Sequence, residues 1–563
     1  MSSKENAIIP FDFQKKIPVD LWRVMAATFF VGLFAYGFSM SNILLGQDNS
    51  NLWYDVMETP ADFFAPASAG RWLANIGFVL FGGVTVPWWN GLWSLLLIGL
   101  AVFATCRLFQ IRSALLQILV AAVMTACPAV VTSFNYISSA PTYALALLTA
   151  CLAPCFLYRY KWGFIPAFLC MLLTNAIYTA YISVTVCWVI LYALQQLILA
   201  KQTCRTIFLQ ELFAAVLSLL SLAGTLAISQ VLVRLVGSTA QQRVANAVAM
   251  GLTDYLQRIG QVYGTVLYRI FSNWKSSYMQ GLGCLSVRAA VVLGVVCALL
   301  LLYKNKSWRN PVTLLLLAVN ALMLPLAMDI IGILQVSHSL MDYAYVTPML
   351  ASLVLLSAAW EQGALPEVSL VRTALPLLLV AANGVYALHF VKVANIDATF
   401  RFAQYESAVQ LTNRLIDRLE AEENYQPGQT PVLIAGKFPE NYYFTEGEWG
   451  LPSDEAFRVL KNIEGANSWM AFTYQELFER FSEQVIGTEL NLITNATVNG
   501  GTSFTTDADV LLARAREADG SITAAQLDAA LTDCSGFPAG DCCTLVGDVL
   551  VLKLDFDAAA PAA

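Results

Sequence analysis

Residues Gly91–Leu108 read GLWSLLLIGLAVFATCRL, and residues Ala114–Val131 read ALLQILVAAVMTACPAVV. Two apolar runs of 18 residues stand almost back to back, and the short link between them holds Arg112 just after Arg107. A helix crosses a bilayer with about 20 predominantly apolar residues. The pair therefore reads as two membrane helices joined by a basic turn, and the rest of the chain can be tested against that pattern.

Working outward, similar runs recur. The expected spans are residues 22–44, 91–108, 114–131, 141–158, 162–176, 178–200, 208–235, 284–303, 312–335, 342–360 and 373–393. The first run, Leu21–Leu45, is too long for a cleavable leader and lacks a small-residue cleavage site, so it reads as the first membrane helix. The fifth span is short and reads as broken or half-inserted. Trp88, Trp89, Trp162, Trp308 and Trp360 sit at span ends, where indole rings favour the headgroup layer. The composition agrees: 58% of the 563 residues are hydrophobic and 13% are charged, against about 25% charged in soluble chains.

Positive charge sets the sidedness. Lys4, Lys15, Lys16 and Arg23 precede span one, and Arg107 and Arg112 follow span two. Arg159 and Lys161 follow span four, Lys201 and Arg205 follow span six, Lys304, Lys306 and Arg309 follow span eight, and Arg372 precedes span eleven. With eleven spans all these groups fall on one side, which the positive-inside rule makes the cytoplasm. The expectation is a plasma-membrane protein with a cytoplasmic N-terminus and three outer pieces: residues 45–90, residues 236–283, and everything after Asn395.

The chain divides near Val393. Residues 1–394 carry 22 Lys/Arg and 13 Asp/Glu, and residues 395–563 carry 10 and 26. The expected domains are thus a membrane domain, 1–394, and an acidic extracytoplasmic α/β domain, 395–563. In the second, Phe402–Ala421 has helical periodicity, Pro431–Gly436 and Asp548–Leu554 read as buried strands, helices are expected around 454–465 and 473–485, and 491–507 reads as loop. Cys534, Cys542 and Cys543 lie there, and an oxidising location would allow one disulfide among them. The nine earlier cysteines read as small buried hydrophobes.

Candidate chemistry gathers in the first two outer loops. Asp48 lies just beyond the first helix; a carboxylate there can serve as a general base or bind a divalent cation such as Mg or Mn. Its plain alternative is a solvated Asp in a Gly/Asn turn. Asp55, Glu58 and Asp62 suit a solvated helix face. Arg71, beside Trp72, is a cation on the side that orientation depletes, and a guanidinium pairs with phosphate bidentately; its alternative is a snorkelling anchor. Thr253–Ile270 is amphipathic and reads as a helix on the outer surface. Its Arg258 and Arg269, with Arg243 and Lys275, make that loop basic and attractive to an anionic headgroup. Asp329, in span nine, is a second-rank candidate. Neither histidine receives a role, and there is no phosphate-binding glycine loop or nucleophile elbow.

The layout resembles the GtrII family of membrane glucosyltransferases, of the wider GT-C class. Asp48-Asn49 stands where that family tends to carry an acidic pair, and Gly70-Arg71-Trp72 matches its Gly-Arg-Trp element. Phe134-Asn135-Tyr136 through Thr142-Tyr143-Ala144 and Tyr178-Thr179-Ala180-Tyr181 look like further family segments, as do Asn395-Ile396-Asp397 and the strands of the tail. Asn49 departs from the second acidic position, and Ser139-Ala140-Pro141-Thr142 lacks an acidic residue associated with that segment. The resemblance implies transfer of a sugar, glucose first, from a polyprenyl-phosphate carrier to a cell-surface glycan or lipid-linked acceptor by one inverting displacement. Asp48 would be the base. Asn49, Arg71, Trp72, Tyr143, Tyr178, Arg258, Arg269 and Lys275 would bind substrate. The partners implied are the donor, the acceptor, membrane lipids and a small flippase; no nucleic acid is expected.

Three rivals make different demands. A glycan polymerase or ligase acting on diphosphate-linked oligosaccharides would carry large outer loops late among its spans. A transporter or flippase would show an internal repeat and a polar path, and only Asp329 argues for one. A scaffold would not depend on Asp48.

Overall fold

The computed structural model describes residues 18–42, 44, 60–81, 85–237, 251–271, 282–333, 339–366, 368–436, 475–493 and 504–554. Among these, nine helical stretches are long and apolar enough to cross a membrane, and a tenth results if one bent helix pair counts as a span. The chain is thus a mostly helical, polytopic membrane protein. It sorts into two compact units, and along the helix Ser369–Glu420 the division falls between Ile396 and Asp397.

In the first unit, α1 (Val19–Ser41) packs on α2 (Pro87–Phe109), and α2 packs on α5 (Ala140–Arg159). Between α2 and α5 come α3 (Ala114–Thr125) and α4 (Pro128–Asn135), bent by 48°. The sequence predicted one span over 114–131, and the break has a clear cause. Pro128 has no N–H to offer the Met124 carbonyl, four residues earlier, and Ala126 leaves the helical region. In a membrane a freed carbonyl needs a donor. The Tyr343 hydroxyl donates to Met124 O at 2.8 Å, and the Tyr36 hydroxyl donates to Thr125 O at 2.8 Å.

The helices α6 (Phe164–Tyr178) and α7 (Ile182–Leu199) follow. Tyr143 meets Tyr178, and Thr149 meets Thr174, so α6 runs antiparallel to α5. Thr185 donates to Ala150 O, and Tyr192 stacks on Tyr158, so α7 runs parallel to α5. The 164–199 stretch therefore folds back on itself. The expected fifth span is an unbroken helix, short because it ends in the turn Thr179–Tyr181.

The remaining helices are α8 (Cys204–Val236), α9 (Leu252–Phe271), α10 (Leu282–Lys304), α11 (Pro311–Met328) and α12 (Thr347–Glu361); the turn Ser339–Val346 leads into α12. The expected span 312–335 ends early, because α11 stops at Met328 and Asp329 caps it. Arg159 donates to Leu108 O, Gln195 to Phe109 O, Ser307 to Ile198 O and Lys304 to Gly363 O, which gathers one set of helix ends, rich in Lys and Arg, at one face of the bundle. The five tryptophans expected at the interface are all exposed.

α13 (Ser369–Glu420) is one continuous helix where the sequence suggested a span and a separate helix. In the second unit its late turns present Ala408, Leu411, Leu415 and Leu419 to one face of a four-stranded sheet. The strands are β1 (Pro431–Ala435), β2 (Asn491–Leu492), β3 (Cys543–Val546) and β4 (Val549–Lys553), in the order β2-β1-β4-β3. β1 is parallel to both neighbours, and β3 is antiparallel to β4. Alternation along β1 and β4 gives each face its own core: Val432, Ile434, Leu550 and Leu552 meet α13, while Leu433, Val549 and Val551 meet two further helices through Leu511, Ala515 and Leu527. Those are α15 (Ala508–Ala518) and α16 (Ala524–Asp533), neither expected from the sequence; α14 (Gln475–Phe481) matches the helix expected over 473–485. The helix expected over 454–465 lies outside the described residues. Cys534, Cys542 and Cys543 are free thiols, and the Cys542 and Cys543 sulfurs are 4.0 Å apart.

Candidate functional site

The end of the bundle opposite the basic face collects the residues that carry chemistry. The turn Ala65–Ala69 closes on Gly70, whose φ of +77° lies in the left-handed region that a glycine enters without strain. The Gly70 N–H donates to Ala67 O at 2.9 Å and the Arg71 N–H to Pro66 O at 3.1 Å. The Leu73 N–H donates to Ala176 O at 2.9 Å, which fixes the turn to the end of α6. The Arg71 guanidinium then lies over the Tyr178 ring, 5.8 Å from its centroid.

From Tyr178 a run of rings continues. Tyr143 packs edge-on against it at 5.0 Å, Tyr181 at 5.2 Å, and Tyr343 lies 5.8 Å from Tyr181. Tyr178, Tyr181 and Tyr343 are fully buried, so they form a rigid base under the half-buried Arg71. The neighbouring Asp342 is also buried, and its carboxylate pairs with Arg269 Nη1 at 2.7 Å. The Arg269 guanidinium stacks over Tyr345, 4.7 Å from the ring centroid. The Tyr345 hydroxyl donates to Asp329 at 3.3 Å, and the Gly332 N–H donates to the same carboxylate at 3.2 Å.

Of the residues singled out in sequence, the structure brings Arg71, Tyr143 and Tyr178 together, and it links Arg269 to Asp329. Arg269 is held by a buried carboxylate, which corrects the expectation of a surface cation whose whole charge faces a headgroup. The helix expected over Thr253–Ile270 is present as α9, docked through Val262, Val266 and a Tyr263 hydroxyl bond to Leu322 O at 2.6 Å. Arg258 makes no ion pair among the described residues. The Trp72 indole N–H is buried without a hydrogen-bond partner among them. Asp48, Asn49, Asp55, Glu58, Arg243, Lys275 and His338 lie outside the described residues, as does the Asp62 side chain. Among the described residues no three His, Cys, Asp or Glu side chains come together to hold a metal ion. Sequence reading quoted Tyr181 in a family-like segment without giving it a role, and it missed Asp342, Tyr343 and Tyr345. The one signal for them was the pattern Asp342-Tyr343-Ala344-Tyr345 at a span entry, polar where the run should be apolar.

A family model described as Glucosyl transferase GtrII matches residues 37–357. The chain belongs to this family. The matched stretch includes Asp48, the Arg71 turn, the tyrosine run, Arg269 and Asp342. A GtrII protein is a glucosyltransferase, so this chain is a membrane glycosyltransferase with a sugar donor and an acceptor. Among curated proteins and among solved structures, none matches the chain.

Proposed function

We propose that this GtrII protein moves glucose from a polyprenyl-phosphate carrier to a cell-surface glycan or a lipid-linked acceptor, at the outer face of the plasma membrane. The reading includes a GT-C-like membrane domain, 1–394, with eleven crossings: the nine apolar stretches, one more because 164–199 folds back on itself, and one more for α3 with α4. An odd count puts the basic face in the cytoplasm and the acidic domain, 395–563, outside.

The observation that carries the reading is the pair of arginines at the end of the bundle away from the basic clusters: Arg71 over the buried Tyr178, and Arg269 on Asp342 and Tyr345, with Tyr343 between these two joining the same run of rings through Tyr181. A lipid phosphate leaving the anomeric carbon departs as an anion, and cations there stabilise it more than a proton donor would. Asp48 takes the proton of the acceptor hydroxyl, the oxygen forms its bond to the anomeric carbon, and the bond to the phosphate oxygen breaks with its electron pair. One displacement inverts the centre. The half-buried Tyr143 at the edge of the tyrosine base, with the half-buried Trp72 next to Arg71 in the chain, suits the apolar face of a sugar ring. A flippase supplying the donor is a natural partner, since the carrier is charged in the cytoplasm and used outside.

The test is sugar transfer in membranes holding matched levels of each variant. Asp48→Asn keeps shape and polarity but cannot take the proton, and should lose about 100- to 10,000-fold, the usual share of a general base. Full activity would sink the mechanism, and a larger loss for Asp55→Asn would move the role to that residue.

A further inference from the structure

We infer that Asp342 and Tyr345 are positioning residues for Arg269, setting its guanidinium for the phosphate of the lipid-linked donor; this rests on the donor class proposed above. Two contacts hold Arg269, and a third holds one of its partners. Asp342 takes its Nη1 at 2.7 Å, the Tyr345 ring lies under it at 4.7 Å, and Asp329 holds Tyr345 through its hydroxyl at 3.3 Å. Each anchor is itself anchored. Asp329 accepts from the Gly332 N–H at 3.2 Å, and the residue after Asp342, Tyr343, is tied by its hydroxyl to Met124 O at the helix break.

The alternative is that the ion pair merely docks α9. Two observations weigh against it. α9 already has apolar anchors in Val262 and Val266, and its Tyr263 hydroxyl bonds to α11. A buried ion pair also adds little net stability, because desolvation offsets most of its attraction. What such a pair supplies is a fixed place for a charge. Here the place is the turn that also carries Tyr343, whose ring meets Tyr181 and through it Tyr178 under Arg71, so one run of contacts links the two cations. An anion accepted there is a phosphate monoester or diester, since a guanidinium fork matches two phosphate oxygens. It can come as the carrier's headgroup or as free phosphate.

The experiment measures donor KM and kcat for the full chain in membranes, with thermal stability read on the same samples. Asp342→Asn should raise donor KM about tenfold, the worth of one well-placed charge-assisted hydrogen bond, with kcat moving far less. Adding Asp342→Asn to Arg269→Ala should cost nothing further, because Asp342 acts through Arg269. The deciding variant is the swapped pair, Arg269→Asp with Asp342→Arg. If the pair is a phosphate-positioning device, the swap restores stability and leaves donor KM high. Recovery of the wild-type KM by the swap, or an unchanged KM in Asp342→Asn, overturns the inference. Polyprenyl phosphate without sugar should compete with the donor in the wild type and not in Arg269→Ala; competition by inorganic phosphate of equal strength would assign the site to free anion and overturn the headgroup. A wild type that makes no use of a polyprenyl-phosphate sugar fails the proposed function instead, before any variant is compared.

Discussion

Arg71→Ala separates a packing role from a binding role, because the structure limits what packing can contribute. The guanidinium stands 5.8 Å from the Tyr178 ring centroid, near the outer edge of a useful cation–π contact, which is worth about 0.5–1 kcal/mol at an exposed site. Loss of that contact should lower stability by no more than about 1 kcal/mol. A guanidinium that binds the donor phosphate contributes more, about 1.5–3 kcal/mol for hydrogen bonds to a charged group. At about 1.4 kcal/mol per factor of ten, donor KM should rise about 10- to 100-fold in Arg71→Ala. Arg71→Lys keeps the charge without the fork and should fall between. Tyr178→Leu leaves the cation but also removes the buried ring's contacts with Tyr143 and Tyr181, so its stability cost should exceed that of Arg71→Ala while its KM rises less. The assay is sugar transfer against donor concentration, with thermal unfolding in detergent on the same material. Equal, small effects of Arg71→Ala and Arg71→Lys on KM would return Arg71 to the role of a membrane anchor.

Gly70→Ala should destabilise the turn by about 1–2 kcal/mol, the cost of the left-handed region for a residue with a Cβ; open space surrounds that Cβ, so Gly70→Asn, more tolerant of this conformation, should recover much of the loss in thermal unfolding and donor KM. In the second unit Asp519 accepts from the Ser521 N–H and hydroxyl and from the Asp548 N–H, and these bonds hold its carboxyl below the ordinary value. A depressed folded value means that the stabilisation is present above the unfolded value of about 3.9 and is lost as pH falls through the folded one. Thermal unfolding of Asp519→Asn should therefore differ from wild type near neutral pH and converge on it in acid; a constant gap would deny the linkage. A reporter active only outside the cytoplasm should work when fused after Leu554, and activity of only a cytoplasmic reporter there would break the eleven-span reading.

The helices were legible because a membrane imposes one simple demand, a run of apolar residues, and the chain meets it repeatedly. The strands β1 and β4 were legible for a similar reason: Val432-Leu433-Ile434 and Val549-Leu550-Val551-Leu552 are buried on both faces, which leaves an unbroken apolar run. By contrast α15 and α16 bury only Leu511, Arg514, Ala515 and Leu527, an apolar stripe too thin to stand out. In the candidate site Arg71 was visible as a cation on the side that the expected orientation depletes, and Arg269 as part of a basic loop. The partner of Arg269 was not, because Asp342 sits at the entry of an apolar span, where one carboxylate has no periodic pattern to betray it.

That partner follows from a residue far away. Pro128 withholds an N–H from Met124, and the carbonyl so freed is buried where only the chain itself can supply a donor. Tyr343 supplies it at 2.8 Å. To reach that carbonyl the residues before α12 take a tight turn instead of a regular helix, and Asp342 within it has φ −84° and ψ +18°, outside the helical region. The same turn presents Asp342 and Tyr345 to Arg269. A helix break read in isolation looks like a defect of span three. Its hydrogen-bond requirement makes it the anchor of the turn that places a cation, and the link from Pro128 to Arg269 runs through contacts that no single stretch of sequence contains.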